Sequence, residues 1–113
     1  MVPGDYSAAM ETNDPVLQRF RAALNEVYGG RLERVVLYGS RARGESRPDS
    51  DYDIAVFLKN FSDLERELDV LAKIEVDILD ETGAVINAMP FHEGAYNKTT
   101  GFMREVRRDG RDL

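Results

Sequence analysis

Apolar positions along this chain change their period several times, and each change marks a new element. Leu17, Phe20, Leu24, Val27 and Tyr28 recur at helical spacing. They follow Asp14-Pro15, a capping carboxylate and a proline at the first helical position. Gly29-Gly30 ends that stretch, and Leu32 to Tyr38 then runs as a buried strand. A short helical turn is expected from Ser40, followed by a loop of turn formers from Gly44 to Ser50 (GESRPDS). The segment Asp51 to Leu58 (DYDIAVFL) reads as a central strand, apolar on both faces. Leu64, Leu68 and Leu71 predict a helix from about Ser62 to Lys73. Ile74 to Leu79 (IEVDIL) is expected as a third strand, and Ala84 to Met89 as a possible fourth before Pro90. Phe102, Met103 and Val106 predict a last helix ending near Gly110.

This order describes an α/β (α+β) fold: a small mixed sheet of three to four strands packed against helices. Residues 1–13 show no periodicity and are expected to be a flexible leader, in which Met10 could be the native start. Residues 14–113 are then one domain, long enough for a single core and too short for a separate substrate-binding domain. No repeat, low-complexity tract or linker interrupts it.

Composition narrows the class. The chain has no cysteine, so neither a disulfide framework nor a thiolate metal site is available. No apolar run approaches the roughly 20 residues of a membrane span, and the N-terminus has no secretory pattern, which points to the cytoplasm. The formal net charge of -6 argues against a general nucleic-acid binder. The charge is uneven, however. Arg31, Arg34, Arg41, Arg43 and Arg47 gather around one segment, acidic residues dominate from Asp63 to Glu81, and the C-terminus turns basic again.

The segment inside the arginine cluster carries the chemistry. Gly39-Ser40 ends a predicted strand, where a tight turn offers bare backbone N–H groups and a hydroxyl to phosphate oxygens. Ten residues later come Asp51 and Asp53, whose spacing puts both carboxylates on one face of a strand. Two converging carboxylates repel each other unless a cation lies between them. Taken singly, a Gly-Ser after a strand is a turn, and an Asp-x-Asp is capping chemistry. Together they suit a nucleoside triphosphate with magnesium. Tyr52, between the two aspartates, is expected to point to the opposite face. His92, the single histidine, is given no role.

Gly39-Ser40-Arg41-Ala42-Arg43-Gly44 followed by Asp51-Tyr52-Asp53-Ile54-Ala55-Val56 resembles the signature of the minimal nucleotidyltransferase domain. That domain belongs to the DNA polymerase beta-like nucleotidyltransferase superfamily. The resemblance covers about Arg34 to Asp80 well and Glu81 to Gly101 loosely. The family's third carboxylate lies on a later strand in a Val-Asp-hydrophobic context, which Val76-Asp77-Ile78 matches. The ending from Phe102 to Gly110 also resembles members encoded beside helical HEPN proteins.

The resemblance implies transfer of AMP from ATP to an acceptor, with release of pyrophosphate and with two magnesium ions. Asp51, Asp53 and Asp77 would be the metal-binding and catalytic carboxylates. Gly39 and Ser40 would hold the β,γ-phosphates, with Arg41 or Arg43 offsetting charge on the departing pyrophosphate. Stand-alone domains of this length in the family are typically antitoxins, and some attach AMP to a tyrosine of a HEPN-type ribonuclease toxin. That is the expected function, with the acceptor held by another chain, by a second copy or by a shallow surface, in a homo- or hetero-oligomer. The alternatives are a catalytically slow or silent module that neutralises its partner by complex formation, and a small-molecule nucleotidyltransferase working as a homodimer. A nucleic-acid terminal transferase fits the acidic total less well.

Overall fold

The computed structural model describes residues 13–113; the expected leader, with Met10, lies outside the described residues apart from Asn13. Helix α1 (Pro15–Tyr28) starts as its sequence dictates, with the Asp14 carboxylate accepting from the amides of Val16 at 2.8 Å and Leu17 at 3.4 Å. Leu17, Phe20, Leu24 and Tyr28 are buried along one stripe. Val27, expected on that stripe, turns half outward, with 51% of its surface exposed.

Strands β1 (Leu32–Tyr38), β2 (Tyr52–Leu58), β3 (Ile86–His92) and β4 (Arg111–Asp112) form one mixed sheet in the order β3-β2-β1-β4. The pairs β1/β2 and β1/β4 are antiparallel, and β2/β3 is parallel. A parallel pair needs a crossover, and helix α2 (Leu64–Thr82) supplies it. Helix α3 (Gly101–Asp109), capped by the Thr100 hydroxyl accepting from the Met103 amide at 3.1 Å, covers part of the other face.

The sheet therefore separates two apolar layers. Ile54, Val56 and Leu58 pack with α1 and α2 through Phe20, Leu24, Leu71, Ile74 and Ile78. Ala55 and Phe57, alternating with them, pack with Val36, Ala95, Met103 and Val106 below α3. Burial on both faces is why β2 is a continuous apolar run instead of an alternating one.

Two expectations are corrected here. The segment Ile74 to Leu79 is helix, the second half of α2. Its alternating valine and isoleucines fit a strand, but Leu71, Ile74 and Ile78 continue a helical stripe. From Leu64 to Thr82 the chain contains no glycine, proline, serine or asparagine to stop it. It ends only at Gly83, which caps the helix in the left-handed region at φ 80°. Leu64 and Leu68, expected to mark the buried stripe, are exposed, and Glu67 takes the buried place instead. The second correction concerns β3, which runs to His92 and passes through Pro90, paired opposite Val56. The strand lies at the sheet edge, where a missing N–H is tolerated. It is the third strand of the sheet; the fourth, β4, is the two-residue strand after α3.

Candidate active site

The antiparallel β1/β2 pair and the parallel β2/β3 pair bring the end of β1 and the starts of β2 and β3 to one end of the sheet. There Tyr38, Asp53 and Asn87 stand side by side in register. They share the face that carries Ala55 and Phe57, the face covered by α3. Asp51, two residues before Asp53, turns to the same side, and its Oδ2 accepts a hydrogen bond from the Asn87 side-chain amide at 3.1 Å. Tyr52 points the other way, as its position between the aspartates predicts. It is buried with the α1/α2 layer, and its hydroxyl donates to Asp14 Oδ2 at 2.7 Å. One bond thus joins the cap of α1 to the start of β2. Burial, then the Asp14 carboxylate, pushes the Tyr52 hydroxyl up to about 12.

Gly39 follows β1 directly and is buried, with φ 75°. A Cβ built on it would overlap Asp53 Oδ2 and lie 3.3 Å from Asp53 Cβ and Cγ. Glycine is needed twice over here, for the backbone angle and for the space the carboxylate occupies. The amides of Ala42 and Arg43 fold back on the Gly39 carbonyl at 3.1 and 3.2 Å, closing a single turn. Ser40 sits at the head of that turn, half-buried beside the carboxylates' strand. Among the described residues no hydrogen bond engages its hydroxyl.

The two arginines of the turn differ. Arg41 stacks on the Tyr52 ring, with its guanidinium carbon 3.8 Å from the ring centre. Its Nη2 donates to the carbonyls of Ser50 at 2.7 Å, Pro48 at 3.2 Å and Arg47 at 3.3 Å. Arg41 therefore holds the loop that delivers Asp51, a role that composition alone does not reveal. Arg43 lies in solvent, donating from Nε to Glu45 at 2.9 Å, with Asp109 at 4.0 Å. Glu45 first, by hydrogen bond, raises its pKa.

Asp77 does not join this group. It lies on α2, exposed, in a groove of about 560 Å³ shared with Arg19, Glu26 and Lys73. Helix α2 packs on the face of the sheet opposite Asp51 and Asp53, so the sheet separates Asp77 from them. The expectation that Asp77 sits on a strand beside the other two is corrected for this reason. The side chain in register next to Asp53 is Asn87, which the sequence reading passed over. Its signal is a single polar residue inside the apolar run Val85-Ile86-Asn87-Ala88-Met89.

Among the described residues no group of three or more His, Cys, Asp or Glu side chains converges in a way that could hold a metal ion. Two carboxylates and a carboxamide remain, all oxygen donors at one end of a sheet. Magnesium is commonly held by one or two carboxylates together with substrate phosphates, so this donor set fits it. No helix among the described residues is long and apolar enough to cross a membrane.

A glycine-led turn and paired aspartates at one end of a small mixed sheet define a nucleotidyl-transfer type of domain. Residues 25–112 match the family model described as Polymerase beta, Nucleotidyltransferase, and the chain belongs to that family and is a nucleotidyltransferase. A relative from Methanocaldococcus jannaschii, bearing the name "Putative protein adenylyltransferase MJ0604", is 33% identical over 102 residues, 88% of this chain and 96% of its own. Among solved structures, a toxin–antitoxin complex with AMP-PNP is similar with a TM-score of 0.62 at 17% identity, covering 84% of this chain and 69% of the other. A point mutant of the toxin–antitoxin MntA-HpeT is similar with a TM-score of 0.61 at 18% identity, covering 86% and 70%. At those identities the solved structures speak for the fold.

Proposed function

We propose that this chain transfers AMP from ATP, with magnesium, to a tyrosine hydroxyl of a HEPN-type ribonuclease toxin and so acts as its antitoxin. The observation that carries the reading is the pairing of Asp51 and Asp53 on one sheet face beside the Gly39-Ser40 turn. The name of the archaeal relative and the toxin–antitoxin setting of the structural neighbours support it. In the reaction the acceptor oxygen bonds to the α-phosphorus, the bond from that phosphorus to the β-phosphate bridge breaks, and pyrophosphate leaves. The acceptor proton passes to a site carboxylate or to solvent. Asp51 and Asp53 would hold magnesium, which when bound screens the triphosphate's negative charge. Ser40 and the turn would hold the β,γ-phosphates, with Arg43 facing the departing pyrophosphate. Arg41 fixes the loop so that Asp51 reaches the site.

One observation favours a second reading. The position next to Asp53 holds a carboxamide, Asn87, where a third carboxylate would speed transfer. A slow or silent nucleotide-binding module that neutralises its partner by complex formation is compatible with that set. The experiment is to incubate the protein with magnesium, ATP and the HEPN-type partner, then weigh the partner by intact mass spectrometry. A gain of whole AMP units, lost with Asp53→Ala, is the expected result. A stable complex with no mass gain would overturn the transferase reading and leave the binding module.

A further inference from the structure

Three side chains converge at the head of the sheet, and only two of them carry charge. Asp53 and Asn87 are register partners on β2 and β3, and the Asn87 amide donates to Asp51 Oδ2 at 3.1 Å. A carboxamide in that place does what a second cation would otherwise do. It presents a donor to one carboxylate and eases its repulsion with the other, without adding a negative charge. Asp77, which could have supplied a third charge, is held across the sheet by α2.

From this arrangement we infer that the centre takes one divalent cation per bound nucleotide, and that Asn87 is the positioning residue that sets the number. The inference rests on the nucleotidyl-transfer reading of the site. Two carboxylates supply the protein's charge for one divalent ion, with the nucleotide's phosphates completing its ligands. A second ion would find at this position a neutral amide already turned toward Asp51, and a protein ligand set without remaining charge. Asn87 acts through Asp51: it fixes the carboxylate's orientation before any cation arrives. The same geometry bears on the acceptor. An amide takes up no proton, so an acceptor approaching over β3 meets no carboxylate base there. A phenol, with its ordinary pKa near 10, ionises far more readily than an aliphatic hydroxyl and suits such a centre.

The test uses the full chain with manganese(II) as the cation and α,β-methylene-ATP as a nucleotide that cannot be cleaved. Bound manganese is counted by electron paramagnetic resonance during titration. The parent is expected to bind one ion per nucleotide and Asn87→Asp two. Asn87→Ala should keep one ion with affinity lowered about 10-fold or more, because Asp51 loses its partner. Two ions on the parent, or one ion on Asn87→Asp with an unchanged melting temperature, would overturn the inference. Should Asn87→Asp not fold, an Asn87→Ala affinity equal to the parent's would overturn it alone. Transfer is measured separately. Ion counts of one and two without transfer to any partner would refute the proposed function while upholding the role of Asn87.

Discussion

Gly39→Ala tests the connection between backbone and site, and Gly83→Ala is its control. Both glycines lie in the left-handed region, at φ 75° and 80°, so alanine meets a similar backbone penalty at each. That penalty is about 1–2 kcal/mol, offset in part by the lower entropy of the unfolded chain. A net loss near 1 kcal/mol lowers the melting temperature by about 4–8 °C in a domain of this size. The surroundings differ. A Cβ on Gly83 meets nothing within 4 Å, whereas one on Gly39 meets the Asp53 carboxylate. Because that carboxylate ends a short side chain, it swings aside at a cost of about 0.5–1.5 kcal/mol if forced off its rotamer. Both variants should therefore fold, with Gly39→Ala a little less stable. Only Gly39→Ala should bind manganese and α,β-methylene-ATP more weakly, by about 10- to 100-fold, since Asp53, the proposed ligand, loses its orientation. Thermal melting and isothermal titration calorimetry read the two effects separately. Equal nucleotide affinity in the two variants would refute the placement of Asp53 at the metal.

Three further outcomes follow from the same contacts. Arg41→Lys removes the fork that gathers the carbonyls of Arg47, Pro48 and Ser50; calorimetry should show weaker nucleotide binding, and thermal melting a small loss of stability. Tyr52→Phe should cost about 1.5 kcal/mol at neutral pH through the lost bond to Asp14. Because the folded Tyr52 value, about 12, lies above the ordinary one, its stabilisation is complete below pH 10 and is lost as pH rises toward 12. Tyr28, also raised by burial and by Glu67, loses its stabilisation in the same alkaline direction, so the comparison is made against Tyr28→Phe in urea melts at several pH values. Arg31→Met strips the cation from Glu67, whose side chain is 4% exposed, and should cost about 3 kcal/mol or more in urea unfolding. Adding Glu67→Gln should restore part of that loss.

How much of this could be read from the sequence depended on whether a local pattern had one physical solution. Helix α1 had one: a cap, a proline, a single apolar stripe and a glycine stop all agreed. The turn and Asp51-Tyr52-Asp53 were also legible, because residue alternation on a strand fixes which side chains share a face. Ile74 to Leu79 had two solutions. Its apolar residues suit either period over six positions, and the deciding fact was the absence of any breaker before Gly83. Reading it as a strand placed Asp77 on the wrong element and gave it the third site position, so Asn87, already on an expected strand from Ala84, drew no notice. β4 had no signal at all; two residues form it because Gly110 lets the chain turn against Val106 and Val36.

The two layers of the sheet divide the work of the molecule. On the α1/α2 side lie the larger apolar cluster, the Glu67–Tyr28–Arg31 contacts and the Tyr52–Asp14 bond, all on the face of the sheet turned away from Asp51 and Asp53. On the other side α3 packs over Val36, Ala55 and Phe57, and the row Tyr38-Asp53-Asn87 stands at the site end of the sheet. Asn87 is exposed there, and so is Phe102, which packs edge-on to Tyr38 with ring centres 5.2 Å apart. Substitutions confined to the first layer should thus shift stability with little change in nucleotide affinity. Substitutions at the head of the second should do the reverse. The two exceptions are Gly39 and Arg41, where the backbone and the loop cross from one layer to the other, and there both quantities should move together.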